Sequence, residues 1–278
     1  MSVYNGRPFL KTAVESILDQ TFTDFEFILI DDGSSDGSTE LLREYAEQDD
    51  RIRLFEQQNV GVTSSLNRGL REVRGEYIAR MDADDVCHPE RLEKQVAYLE
   101  HHQTYVAVGG QALLINEEGE PIRCSGASPG SDGKGRMKGL KQDHRSIENE
   151  LLDGGWPLLQ PAVTMRREAV EDVGGYDERF EQNQDHDLFL KLAEVGRLSN
   201  LSSTVLKYRR HSEQATAQQS GRNFAAKYRK AIIRREAYLR RDRPLPEELR
   251  LTSLMGILLR RFLSSTPFWP YAQRMWGG

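Results

Sequence analysis

Two apolar runs that end abruptly in carboxylates constrain this chain more than any other feature. Phe25 to Ile30 breaks into Asp31-Asp32-Gly33-Ser34-Ser35-Asp36-Gly37-Ser38, and Tyr77 to Met81 ends in Asp82-Ala83-Asp84-Asp85. From Pro8 to Gln20, Phe9, Leu10, Ala13, Val14, Ile17 and Leu18 recur at helical spacing, with the proline tolerated in the first turn. A helix is expected from about Thr39 to Gln48, a strand over Ile52 to Phe55, and a helix from Val62 to Val73. Strands alternating with helices argue for an α/β fold with a doubly wound, mostly parallel sheet. In such sheets ligands gather beyond the carboxyl ends of the strands. Both acidic loops fall on that edge.

Further along, the spacing predicts a helix from Pro89 to about His101 and a strand over Tyr105 to Ile115. Cys124 to Asp143 is rich in Gly, Ser and Lys and reads as a loop, either an active-site lid or a plain surface insertion. A short strand follows at Ala162 to Met165, then a turn at Gly174-Gly175-Tyr176-Asp177. Asp185 to Glu194 reads as a helix packing Leu188, Phe189, Leu190 and Leu192 inward, and Leu198 to Tyr208 as a last strand before Arg209-Arg210-His211.

A net charge of −5 argues against a nucleic-acid partner for the chain as a whole. With Cys87 and Cys124 alone, neither a disulfide framework nor a four-cysteine zinc site is open, which suits a reducing compartment. No apolar run reaches the roughly 18 residues of a spanning helix, so a cytoplasmic protein is expected, with the inner face of the membrane as a candidate location. From about Gly221 basic residues such as Lys227, Arg229, Lys230, Arg234 and Arg235 alternate with Phe224, Tyr228, Ile232 and Ile233, and Trp269 and Trp276 lie near the end. Two readings stand for residues 221–278: a basic amphipathic helical region touching an anionic membrane, or a solvated face packed on protein.

Asp82 and Asp84, two positions apart in an extended chain, share a face. Like charges that close repel unless a positive group sits between them. A hard divalent cation, Mg²⁺ or Mn²⁺, suits oxygen ligands and can bind a phosphate-bearing substrate at the same time. Alone, each motif is also what a polar turn capping a helix looks like. Arg80 is read as structural, on the reasoning that it lies out of phase with Asp82.

Several separated segments together resemble family 2 glycosyltransferases of the GT-A fold, which move a sugar from a nucleotide diphosphate donor. They are Val3-Tyr4-Asn5-Gly6, the Ile30–Ser38 loop, Asn67-Arg68-Gly69-Leu70 with Gly75-Glu76-Tyr77-Ile78, Met81–Asp85, Gly174–Leu190 and Tyr208–His211. The resemblance implies a glycosyltransferase domain over 1–215, with a nucleotide-binding half at about 1–115 and an acceptor half at about 116–215. It also implies a nucleotide-sugar donor, of UDP or dTDP type, held by Tyr4, Asn5, Asp31, Asp32, Gly33, Asn67, Asp82 and Ala83. Asp32 would meet the N3–H of the base most directly, with Asp31 beside it.

Asp84 and His211 would hold the divalent cation, which assists the leaving diphosphate. Asp185 would be the base that takes the proton of an acceptor hydroxyl, giving inversion at the anomeric carbon. Asp85, Trp156 and Gln184 would face the acceptor, a glycan or lipid-linked molecule of cell-envelope or exopolysaccharide synthesis. The family usually has Glu where this chain has Gln184, and several apolar residues before Val-Tyr-Asn where this chain has Met1-Ser2. An added apolar N-terminal extension is therefore expected to raise the melting temperature. Two other readings are a nucleotide-sugar-binding protein without turnover and a haloacid-dehalogenase-type phosphatase, since Asp82 to Val86 also satisfies D-x-D-x-V.

Overall fold

The first helix, α1, covers Arg7–Leu18 and buries Leu10, Ala13, Val14 and Ile17, one stripe at helical spacing. It follows β1, Ser2–Val3, and precedes β2, Phe27–Asp31, whose five residues are all buried. A strand apolar on both faces belongs inside a parallel sheet. β1 and β3, Ile52–Glu56, flank β2 in parallel and complete a three-stranded sheet. Helices α1 and α2, Ser38–Gln48, make its connections, and α3, Val62–Glu72, leads out of it. The amino group of Met1 donates to Ile28 O at 2.8 Å, and burial lowers its pKa to about 5.

This computed structural model describes residues 1–122, 140–212, 214 and 224–250. The chain divides into two units, Met1–Arg222 and Asn223–Gly278. In the first, a second sheet has the strand order β4-β7-β6-β8-β5. Its members are β4 (Tyr77–Ala79), β5 (Val86–Cys87), β6 (Tyr105–Ile115), β7 (Thr164–Arg166) and β8 (Arg197–Arg209). β6 and β8 run parallel over most of their length, while β7 pairs antiparallel with β4 and β6, and β5 antiparallel with β8. Two helices that the periodicity did not predict and a third that it did complete the unit around α4, Arg91–His101. They are α5 (His144–Leu152), α6 (Arg167–Asp172) and α7 (Gln184–Val195). Leu188, Phe189, Leu190 and Leu192 of α7 are all buried, as their pattern required.

In the second unit α8 covers Phe224–Arg240, and a 3-10 turn covers Glu247–Leu249, with Arg234 Nη2 3.2 Å from Glu248 Oε1. No helix among the described residues is long and apolar enough to cross a membrane. The aromatic end of the chain, with Trp269 and Trp276, and most of the loop expected from Cys124 to Asp143 lie outside the described residues.

Candidate active site

The loops that leave β1 and β2 are laced together before any ligand is considered. Asn5 N–H donates to Ser34 Oγ at 3.0 Å, Gly6 N–H to Ser38 Oγ at 3.1 Å, and Arg7 N–H to Asp36 Oδ2 at 2.9 Å. Ser35 N–H returns the contact to Asn5 Oδ1 at 2.8 Å. Asn5 sits at φ 52°, a left-handed position that asparagine tolerates better than most residues. Gly33 has φ +80°, and a Cβ there would lie 2.9 Å from Asn59 N, so the loop needs glycine twice over. Tyr4 projects from this knot with 55% of its surface exposed.

Both aspartates of this loop are buried and occupied. Asp31 accepts from Thr39 Oγ1 at 2.6 Å and from Ser34 N–H at 3.3 Å. Asp32 accepts at Oδ1 from Gln57 Nε2 (2.7 Å) and Val60 N–H (3.0 Å), and at Oδ2 from Gly61 N–H (3.0 Å). Asp32, expected to meet the base, uses these three hydrogen bonds to brace residues 57–61 against the end of β2. Asn67, expected at the nucleotide, is likewise engaged elsewhere. Its Nδ2 donates to Tyr176 O at 2.8 Å and its Oδ1 accepts from Tyr176 N–H at 3.0 Å, tying α3 to the Gly174–Asp177 turn.

The carboxylates after β4 stand in a different condition. Oxygens of Asp82, Asp84 and Asp85 all lie within 4.8 Å of one another. Asp82 pairs with the Arg80 guanidinium, and Asp84 Oδ2 lies 3.0 Å from His211 Nε2. Arg80 is therefore not a bystander: two positions from Asp82, it reaches the same side of the chain. Asp85 is fully buried, its Oδ1 accepting from Arg209 N–H at 2.8 Å and its Oδ2 without a hydrogen-bond partner among the described residues. Burial, then the neighbouring carboxylates, push Asp85 well above the usual carboxylate range. Asp84 is raised by burial and by Asp82, against the opposing pull of His211. With no exposed surface, Asp85 cannot face an acceptor as expected; it anchors β8 beneath the cluster.

Arg209 was quoted in the sequence only as part of a motif, yet it frames the site. Its guanidinium donates to Asp84 O (2.8 Å), Asn116 O (3.0 Å) and Glu117 O (2.7 Å), and lies 4.6 Å over the Phe9 ring. Phe9 in turn packs its ring 4.8 Å from that of His211. Ala83, between the two outer aspartates, sits with its Cβ against Gly6 and fixes the cluster next to the β1 loop. The buried Arg91 donates to Pro161 O at 2.8 Å and to Arg80 O at 2.7 Å, clamping the end of β4 to the segment that enters β7.

Asp185 comes from the other half of the unit, in the first turn of α7. Asn183 precedes that helix at φ 64°, and His186 N–H donates to Asp185 Oδ1 at 2.9 Å. Burial raises the Asp185 pKa to about 6, outweighing the hydrogen bond and the attraction of Arg80; the charge of Asp82 adds to the rise. Arg80 and Asp82 also act on Tyr176, a buried phenol whose hydroxyl lies 3.5 Å from Gln160 Nε2. Asp185, Tyr176, Arg80 and Asp82 thus share one electrostatic neighbourhood, although they come from α7, the 174–177 turn and the end of β4. Trp156, 45% exposed, stands edge-on to His186 at 5.1 Å, beside the same helix start. Gln184 is buried in the first turn of α7.

This donor set suits a hard divalent cation: carboxylate oxygens close together, one imidazole, and one buried carboxylate oxygen left over. The family model described as Glycosyl transferase family 2 matches residues 1–174. The chain belongs to glycosyl transferase family 2.

Relatives agree. The chain is 34% identical over 218 residues to the putative glycosyltransferase EpsE of Bacillus subtilis, covering 77% of this chain and 72% of that protein. It is 30% identical over 217 residues to the O-antigen biosynthesis glycosyltransferase WbnJ of Escherichia coli, covering 77% and 79%. Against an uncharacterized glycosyltransferase of Rickettsia conorii, 32% identical, it spans only 35% of the partner's length. Among solved structures, S. aureus TarS 1-349 in complex with UDP-GlcNAc superposes with a TM-score of 0.64 at 18% identity, covering 95% of this chain and 72% of that one. A mannosyltransferase of Pyrobaculum calidifontis, in complex with GDP-Man and Mn2+, gives 0.56 at 19% identity, covering 99% and 76%. These two likenesses carry the fold, which is α/β of the GT-A type. The dehalogenase-type phosphatase reading falls: that arrangement puts its nucleophile after the first strand, and Asp82 follows β4.

Proposed function

We propose that this protein is a metal-dependent, inverting glycosyltransferase that moves a sugar from a UDP- or dTDP-type nucleotide sugar to a hydroxyl of a glycan or lipid-linked acceptor. The observation that carries the reading is Asp185, a carboxyl raised to about 6 by burial, in the same electrostatic neighbourhood as Asp82 of the acidic cluster. A base with a pKa near 6 is ionised at neutral pH and still takes up a proton readily. Asp185 removes the proton from the acceptor hydroxyl as that oxygen attacks the anomeric carbon. One displacement inverts that centre. Trp156 offers an exposed aromatic face next to α7 on which an acceptor sugar can lie.

On the donor side, Asp84 and His211 would hold Mn²⁺ or Mg²⁺, with Asp82 at the ribose or the cation's water shell, and the cation would supply charge neutralisation to the departing diphosphate. Tyr4, Asn5, Gly33 and the braced backbone of residues 57–61 line the loops where the nucleotide would lie. Asp31 and Asp32 serve it by shaping those loops. The similarity to EpsE and WbnJ supports a role in envelope or exopolysaccharide synthesis, and the basic α8 supports work at the inner face of the membrane.

A panel of nucleotide sugars with Mn²⁺, read first by thermal shift and then by sugar transfer, tests this. Asp185→Asn is expected to keep the donor-induced rise in melting temperature while losing transfer, by roughly 10²-fold or more. Absence of stabilisation by every nucleotide diphosphate would overturn the reading.

A further inference from the structure

Three arginines stand around the acidic cluster, and only one of them is spent on a carboxylate. Arg209 gives its guanidinium to the backbone carbonyls of Asp84, Asn116 and Glu117. Arg91 gives its own to Pro161 O, Arg80 O and Val163 O, and to Gln95. Arg80 alone, among the arginines and lysines of the described residues, forms an ion pair with the cluster, through Asp82. Its side chain is 7% exposed, whereas that of Asp82 is 33% exposed. A buried cation thus meets a carboxylate that still opens to solvent.

The backbone of Arg80 has little freedom to withdraw. Its N–H donates to Val163 O at 3.0 Å, and its carbonyl accepts from Arg91 Nη2 at 2.7 Å. Burial opposes the charge, and Asp82, Tyr176 and Asp85 together outweigh it. A fixed positive charge at this place takes up part of the potential that three adjacent carboxylates would offer to a divalent ion.

We propose that Arg80 is a built-in counter-ion of the site: it engages Asp82 while the donor is absent, so that a divalent cation binds the free protein weakly and binds well only together with a nucleoside diphosphate. The donor then brings the negative charge that Arg80 has offset, and Asp82 is released toward the ribose or the cation's water shell. Arg80 is a positioning residue, acting through Asp82. The inference rests on the donor-site reading above and adds the reason why the cation and the nucleotide depend on one another.

Calorimetric titration of Mn²⁺ into the protein, with and without UDP, tests it without any turnover. For the unaltered protein, weak binding alone and at least about tenfold tighter binding with UDP are expected. Removing one nearby positive charge should raise Mn²⁺ affinity, so Arg80→Gln is expected to bind Mn²⁺ alone about tenfold more tightly and to lose most of the UDP dependence. Arg80→Lys, which keeps the charge, should stay close to the unaltered protein. A residue that merely supported the fold would weaken Mn²⁺ binding when replaced. Arg80→Gln with unchanged or weaker Mn²⁺ affinity, its fold intact by circular dichroism, would overturn the inference.

Should Arg80→Gln fail to fold, the unaltered protein still decides the matter, since tight Mn²⁺ binding without nucleotide contradicts it. Failure of UDP, dTDP and GDP alike to strengthen Mn²⁺ binding in the unaltered protein sinks the donor-site reading itself. Unchanged Arg80→Gln behaviour with the nucleotide effect intact sinks only the role of Arg80.

Discussion

The loops after β2 and after β4 look alike as sequence, each a strand running into adjacent aspartates, and the fold treats them in opposite ways. Asp31 and Asp32 receive five hydrogen bonds from Thr39, Ser34, Gln57, Val60 and Gly61. Those bonds hold the chain. Asp84 is raised by burial and by Asp82, Asp85 by burial, Asp84 and Asp82, and one oxygen of Asp85 has no hydrogen-bond partner among the described residues. A carboxylate satisfied by fixed N–H groups is part of the scaffold. Carboxylates crowded together with too few donors are poised for something that arrives later. The same residue type is a brace in one loop and a crowded carboxylate cluster in the other.

Substituting one aspartate from each loop should separate the two conditions, and the largest effect is expected on turnover. Asp84→Asn is expected to lower transfer by roughly 10²-fold or more, since the charge that offsets the leaving diphosphate loses a ligand. Its melting temperature should hold or rise, because a repulsive charge is gone. Asp32→Asn should do the reverse. An amide cannot accept from Gln57 Nε2, Val60 N–H and Gly61 N–H as a carboxylate does, and the loss of charged hydrogen bonds costs about 2 kcal/mol. Thermal denaturation should show a fall of several degrees. Equal losses of stability in the two variants would erase the contrast.

A smaller effect concerns pH. Asp185 has its pKa raised to about 6, and the base must be ionised to act, so transfer is expected to fall as pH drops through about 6. A rate profile flat down to pH 5 would remove Asp185 from that role. The smallest expected change is in stability at Asp85. Its folded pKa is raised, so the folded state holds the proton more tightly than the unfolded chain. Stability is therefore lost as pH rises from the ordinary carboxylate range through the raised value. Asp85→Asn, which can still accept from Arg209 N–H, should raise neutral-pH stability by about 1 kcal/mol and flatten that pH dependence, as read from melting curves between pH 4 and 7.

Much of the scaffold could be read from the chain. The β2 strand announced itself as an uninterrupted apolar run, and α1 and α7 by their buried stripes. The strands too short to carry a pattern could not, as β5 shows with two residues held only by pairing to β8. Helix α5 left a signal that went unread: Asp143 accepts from Ser146 N–H at 2.9 Å as a cap, with Ile147, Leu151 and Leu152 behind it.

The site was legible in its residue types and not in its contacts. Val60 and Gly61 hold Asp32 through backbone N–H groups, which every residue but proline possesses, so nothing in the sequence marks them as partners. Arg80 is a different case. Two positions from Asp82 in an extended chain is the same face, and the pairing followed from the period that had already joined Asp82 to Asp84. The contacts of Asn67 were equally hidden, because its side chain closes on Tyr176, over a hundred positions away in the chain.

The contrast between the two loops comes down to where a divalent cation acts. Calorimetric titration of UDP, with and without Mn²⁺, should be run on the unaltered protein, Asp84→Asn and Asp32→Asn. The expected result is that Mn²⁺ strengthens UDP binding in the unaltered protein and in folded Asp32→Asn, and has no effect in Asp84→Asn. Undiminished Mn²⁺ enhancement in Asp84→Asn would contradict the assignment of the cation to the β4 loop.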